Sequence, residues 1–194
     1  MNYLIVGLGN PSSEYKGTRH NIGWDIMNFI KPIKDLHFKE KFKGIWSSFE
    51  TEEDKFYVLM PQTYMNLSGE SVIPFAQYFK IEPENILVLH DELDLPWGTI
   101  AFKDGGGLAG HNGLKSIAAQ LGHNNFKRLR MGIGRPQFGS VSDWVLGRYQ
   151  GAEADYIDDY LEKASKAIDC YVKNGFKTAI QRYKKKQLIE LGDK

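Results

Sequence analysis

The chain has 194 residues, 42% of them apolar and 25% charged, and its 25 basic and 24 acidic side chains leave a net charge of +1. That length supports one domain, spanning 1–194, whose core needs neither disulfides nor a structural metal, and the composition excludes a disordered or fibrous chain. A charge this close to zero also excludes a protein that grips nucleic acid by its overall field, so any RNA contact has to come from a local cluster.

Tyr3 to Leu8 is a continuous apolar run that predicts a central strand buried on both faces, stopped by Gly9-Asn10-Pro11. The run is too short and lacks the basic flank of a signal peptide, and no stretch approaches the roughly 18 apolar residues of a membrane span. After a polar loop through Arg19, the spacing of Ile22, Ile26, Phe29 and Ile30 predicts one amphipathic helix from Asn21 to near Pro32. Trp46 to Thr51 and Phe56 to Met60 read as a hairpin across a Glu-Glu-Asp turn. A helix follows over Ser68 to Phe79, and a second buried strand, Ile86 to Leu89, runs into His90-Asp91-Glu92. Thr99 to Lys103 reads as a short strand, the glycines from Gly105 to Gly107 lead into a helix starting near His111-Asn112, and Leu129 to Ile133 reads as a further strand.

From about Ala152 the pattern is helical, with a break at Asn174-Gly175 before a last helix. That region holds the one cysteine, Cys170, which has no disulfide partner and so points to a reducing compartment, the cytoplasm. Its basic end, Lys177, Arg182, Lys184, Lys185 and Lys186, reads either as a solvated helix face or as a set of RNA backbone contacts. The alternation of strands and helices predicts a single α/β domain: a mixed, mostly parallel twisted sheet flanked by helices on both faces.

In open α/β sheets the ligand site lies beyond the carboxyl ends of the strands. Asn10 and His20 follow the first strand, Asn66 follows the strand closing at Met60, Asp91 closes the Ile86 strand and Asn112 opens a helix. One cleft would then hold a histidine, a carboxylate and three primary amides. Such a set suits hydrolysis of an acyl bond, with a neutral imidazole taking a proton from water and a carboxylate fixing its tautomer. Amide NH₂ groups can hold a developing oxyanion, and amide oxygens can accept from peptide N–H groups. A scattered set of this kind also has an ordinary structural reading, because histidine and asparagine beside turns commonly serve the backbone.

Other motif readings are weaker. Gly7-Leu8-Gly9-Asn10-Pro11-Ser12 opens like a dinucleotide fingerprint, but Ser12 replaces the third glycine and Pro11 interrupts the turn. Gly105 to Gly113 lacks the Gly-Lys-Ser/Thr ending of a phosphate-binding loop, although its glycines allow close approach of an RNA backbone. His20, His90, Asp91, Glu92, Asp94 and His111 offer metal-type ligands without a recognised metal spacing. Cys170 has no glycine-rich elbow or neighbouring histidine to make it a nucleophile.

The segments GLGNPSSEYKGTRHNIG, PQTYMNLSG, HDELDLPWG, GGGLAGHNGLKS and FKRLRMGIGRP, in that order, resemble bacterial-type peptidyl-tRNA hydrolase. The resemblance runs from the first strand to the last helix. It implies a compact cytoplasmic monomer, with no metal or organic cofactor and no DNA or membrane partner. Its expected activity is hydrolysis of the ester between a peptide's C-terminal carbonyl and the terminal ribose of tRNA, with the acceptor stem and CCA end as the bound parts. Carried over position by position, it implies that His20 is the base, Asp91 its partner, and Asn10 the residue that helps to tell blocked from free aminoacyl groups. Tyr15, Tyr64, Asn66 and Asn112 would contact the peptidyl-tRNA end, and Lys103 and Arg130 match a basic pair near the 5′ phosphate of the acceptor stem. The chain departs from the family pattern at Leu108-Ala109, where His-Gly is common, so the loop's mobility or RNA contact is expected to differ; the plainer reading of Leu108 is a packed or surface residue. Two other readings compete. A non-catalytic RNA-binding relative would bind intron-like RNA without esterase activity, and a metal-dependent peptidase would lose activity to a chelator and need no tRNA.

Overall fold

The computed structural model describes residues 1–192; the last two residues of the domain expected over 1–194 lie outside the described residues. The strands are β1 (Asn2–Gly7), β2 (Lys39–Lys41), β3 (Gly44–Glu50), β4 (Lys55–Pro61), β5 (Ile86–Glu92), β6 (Thr99–Asp104), β7 (Lys127–Gly132) and β8 (Lys186–Gln187). They form one sheet in the order β2-β3-β4-β1-β5-β7-β6-β8. Its centre, β4-β1-β5-β7, is parallel, and β2, β3, β6 and β8 attach antiparallel at the two margins. This is the mixed sheet, parallel at its centre, that the apolar runs implied.

The run in β1 is continuous because successive side chains feed two different cores. Ile5 joins a layer made by α1 (Ile22–Asp25), α2 (Lys31–Lys34) and the long α6 (Ala152–Arg182), while Leu4 and Val6 join a layer made by α3 (Gly69–Tyr78) and α4 (Asn112–Leu121). β5 divides in the same way, with Leu87 and Leu89 on one face and Ile86 and Val88 on the other. Each of these four side chains is wholly buried, which contributes about 1.5–3 kcal/mol apiece.

Three expectations are corrected by the structure. The single helix from Asn21 to near Pro32 is a series of short turns: a 3₁₀ turn over Arg19–Asn21, α1, a second 3₁₀ turn over Ile26–Asn28, and then α2. Pro32 lies in the first turn of α2 rather than ending a helix, a position where its missing N–H leaves no backbone bond unmade. The basic run does not complete the last helix: α6 breaks at Gly175 (φ 77°) as expected but ends at Arg182, and Lys186 pairs with Ile100 in the edge strand β8. Leu108 packs, partly buried, against the α3–α4 core. Among the described residues no helix is long and apolar enough to cross a membrane.

Candidate functional site

Close backbone packing brings the His20 loop to the ends of β1 and β5. A side chain on Gly23 would put its Cβ 2.4 Å from the Leu89 carbonyl oxygen and 2.7 Å from the Leu8 nitrogen, so only glycine lets α1 lie directly on these strand ends. The turn Arg19–Asn21, immediately before α1, therefore hangs over the carboxyl end of β5. The Arg19 guanidinium locks it from behind, 3.6 Å from the centre of the Trp144 ring, donating to the carbonyls of Trp144 (3.3 Å) and Arg148 (3.1 Å) and to Glu153 (3.1 Å).

There His20 Nδ1 lies 2.8 Å from Asp91 Oδ2, and His111 Nε2 lies 2.8 Å from Asp91 Oδ1. The hydrogen-bonding environment sets the tautomers. His111 caps α4, its Nδ1 accepting from the N–H groups of Gly113 (3.1 Å) and Leu114 (3.4 Å), so its proton resides on Nε2 and is donated to Asp91. Asp91 is buried, which favours its neutral form, but the two histidines outweigh burial and hold its carboxyl well below the usual carboxylate range. An ionised Asp91 accepts from His20 Nδ1–H and leaves His20 Nε2 as the basic nitrogen. For His20 too, burial disfavours charge, yet Asp91's charge and hydrogen bond prevail and raise the imidazole above its ordinary 6.5. His90, 1% exposed, donates from Nδ1 to the Asp91 carbonyl oxygen at 2.8 Å, and burial drives its pKa well down, keeping it neutral.

A cleft of about 600 Å³ opens over this group, lined by Asn10, His20, Tyr64, Asn66, Asp91, His111 and Asn112, with Val141, Val145 and Leu146 forming an apolar wall. Asn10 is fixed on three sides. Its N–H donates to Asn21 Oδ1 (2.8 Å), its carbonyl accepts from Asn21 Nδ2 (3.0 Å), and its own Oδ1 accepts from the Met65 N–H (2.7 Å). The amide NH₂ of Asn10 is thus the end left for the cleft, a donor only. Asn66 and Asn112 are exposed at the rim, and among the described residues neither side chain has a hydrogen-bond partner, so both ends of each amide are available. Tyr15 does not line the cleft but stands edge to face with Tyr64, ring centres 6.5 Å apart at 86°.

Lys103 and Arg130 also lie outside the cleft, on β6 and β7; Arg130 reaches it through Glu92, which accepts from Arg130 Nη1 at 3.4 Å and lines the cleft itself. His20, Asp91 and His111 present three metal-type ligand atoms within 4.8 Å of one another. Both Asp91 oxygens already accept from a ring nitrogen, so a cation here would have to displace both hydrogen bonds.

Three contributors escaped the sequence reading. His111 was weighed as a metal ligand and as a motif residue, not as a second donor to Asp91; a histidine directly before a helix, in the place of a Ser or Asp cap, was the available signal. The wall from α5 (Val141–Val145) and the Arg19 clasp carry no such signal, because their contacts join residues more than a hundred positions apart.

The peptidyl-tRNA hydrolase family model matches residues 4–190. A peptidyl-tRNA hydrolase of Halalkalibacterium halodurans is 43% identical over 175 residues, covering 89% of this chain and 95% of the relative. One of Alkaliphilus oremlandii is 40% identical, covering 93% and 98%. The crystal structure of peptidyl-tRNA hydrolase from Acinetobacter baumannii superposes with a TM-score of 0.85 at 40% identity, covering 93% of each chain. With its sheet order, cleft and near-complete match to the family model, the chain belongs to the peptidyl-tRNA hydrolase family.

Proposed function

We propose that the protein hydrolyses the ester joining the C-terminal carbonyl of a peptide to the 3′-terminal ribose of tRNA, with His20 as general base on water. The observation that carries this reading is the hydrogen-bonded chain from His111 through Asp91 to His20, which leaves one basic nitrogen, Nε2 of His20, at the wall of the cleft.

The chemistry follows from these atoms. His20 Nε2 takes a proton from water as the oxygen attacks the carbonyl carbon, and Asp91 stabilises the imidazolium. The NH₂ groups of Asn10, Asn66 and Asn112 donate to the carbonyl oxygen or to nearby peptide oxygens of the substrate, and the free amide oxygens of Asn66 and Asn112 accept from peptide N–H groups. The ester bond to ribose then breaks, the imidazolium returns its proton to the ribose oxygen, and a tRNA hydroxyl and a peptide carboxylic acid leave, the acid losing its proton to solvent. No covalent enzyme intermediate is required. The fixed NH₂ of Asn10 is a donor, which favours the carbonyl of a blocked amino group over a free ammonium and gives a physical basis for preferring peptidyl over aminoacyl substrates. Tyr64, with Tyr15 behind it, offers an aromatic edge to the CCA end. Lys103 and Arg130 hold the 5′ phosphate of the acceptor stem.

The deciding assay compares N-acetyl-aminoacyl-tRNA with free aminoacyl-tRNA in the presence of a chelator. Turnover of the first and little of the second is expected, and His20→Ala should lose about 10²–10⁴ in kcat with binding retained. Normal turnover by His20→Ala would sink the mechanism.

A further inference from the structure

Next to the proposed phosphate pair lies a third cation with no role in the mechanism above. Arg128 heads the largest fully buried side chains among the described residues, at 1% exposure. On β7 it faces Lys103 of β6 directly, and Arg130 follows two residues later on the same face. Three cations therefore share this patch with one carboxylate, Glu92; burial, then Arg128 and Arg130, push the Lys103 ammonium below its ordinary pKa.

Arg128 holds the glycine loop. Its Nη2 donates to the carbonyl oxygens of Gly105 (2.7 Å) and Gly107 (2.9 Å), while its Nε and Nη1 are buried without partners. Gly106 lies between these two carbonyls with φ +82°, and a Cβ there would be 2.9 Å from Lys103 Cε and 3.3 Å from its Nζ. The side chain of Lys103 thus rests on the loop that Arg128 anchors. Enclosing a guanidinium with two unpaired donors is costly, and an apolar side chain would fill the space with less loss of solvation. What the guanidinium supplies is a two-carbonyl anchor and a permanent charge beside the phosphate pair.

We infer that Arg128 is a positioning residue for 5′-phosphate recognition, anchoring the Gly105–Gly107 loop so that Lys103 is held beside Arg130; this rests on the phosphate reading of that pair. The test measures kcat and KM on N-acetyl-aminoacyl-tRNA with and without its 5′ phosphate, for the unaltered protein, Arg128→Met, Arg128→Lys, Lys103→Gln and the Lys103→Gln/Arg128→Met double variant. Arg128→Met should raise KM for the phosphorylated substrate several-fold, no further than Lys103→Gln does, with the effect on KM rather than kcat. The double variant should be no worse than Lys103→Gln alone, because both act through one contact. Arg128→Lys, which keeps the charge on a shorter side chain that falls short of the two carbonyls, should recover part of the preference. A folded Arg128→Met protein that keeps the preference, or an equal rise in KM for both substrates, would overturn the inference while leaving the Lys103–Arg130 reading in place. Absence of any 5′-phosphate preference in the unaltered protein would overturn both. Should Arg128→Met fail to fold, the same ratio read on Arg128→Lys decides, and an undiminished preference there refutes the inference.

Discussion

Two polar clusters grow from adjacent residues of β5 and are built on opposite rules. At Asp91 each carboxylate oxygen meets one ring nitrogen at 2.8 Å, and the helix cap on His111 settles which nitrogen carries which proton. At Glu92 a single carboxylate faces Lys103, Arg128 and Arg130, and the Nε atoms of both arginines and Nη1 of Arg128 are left without partners. Along the chain His111–Asp91–His20 every ring nitrogen but His20 Nε2 has a partner, the arrangement a proton transfer needs. The second carries surplus positive charge, the arrangement that awaits an anion. Period-two alternation along a strand separates the two clusters by a single residue.

Perturbing one cluster should therefore leave the signature of the other intact. The largest effect is expected from Asp91→Asn, which should lower kcat by about 10²–10⁴ through loss of the oriented base. In the unaltered protein kcat/KM should fall as pH drops through a value above 6.5, because the proposed base, His20, can take a proton only when neutral and Asp91 raises its pKa. Removing the carboxylate removes that upward push, so the acid limb of Asp91→Asn should move to lower pH while the salt dependence of KM stays as it was. An unmoved limb in the pH–rate profile would break the assignment.

Next in size is Gly23→Ala. Its Cβ meets backbone on two strands, and with no flexible neighbour to yield, a destabilisation of about 1–3 kcal/mol is expected, read by urea unfolding. Because the same displacement lifts His20 from Asp91, kcat should fall as well; full activity in a destabilised protein would separate packing from catalysis. Asn21→Ala removes both side-chain bonds to the Asn10 backbone and should cost about tenfold in kcat/KM for blocked substrates, with less effect on free aminoacyl-tRNA. Smallest is Lys103→Gln, expected to raise KM several-fold and to flatten the slope of log binding constant against log salt by about one, with an unchanged pH profile. A shifted pH profile in that variant would show that the clusters are coupled.

Much of the fold was legible because β1 and β5 are buried on both faces and so spell their burial in unbroken apolar runs. The margins were not: β2 is Lys39–Lys41, wholly exposed, and β8 is two residues long, so neither has an apolar pattern to read. The broken helix after Asn21 misled for a related reason, since the 3₁₀ turns preserve the spacing of Ile22, Ile26 and Ile30 closely enough to pass for one helix. Within the site, Asn10, His20, Asn66, Asp91 and Asn112 were legible as polar residues at strand ends and helix starts, and the cleft gathers all five.

From sequence alone, then, came the strands that meet at the sheet's centre, the strand ends where chemistry collects, and the motif segments that resemble one family. Tertiary structure decided which protons sit where. His111's nitrogen is assigned by the first turn of α4, Asn10's free end by Asn21 and Met65, and the cationic surplus by the pairing of β6 with β7. The cap on His111 is local, but its bond to Asp91, the anchoring of Asn10 by Met65 and the pairing of Lys103 with Arg128 join residues far apart in the chain, and no local pattern of residues encodes those distances.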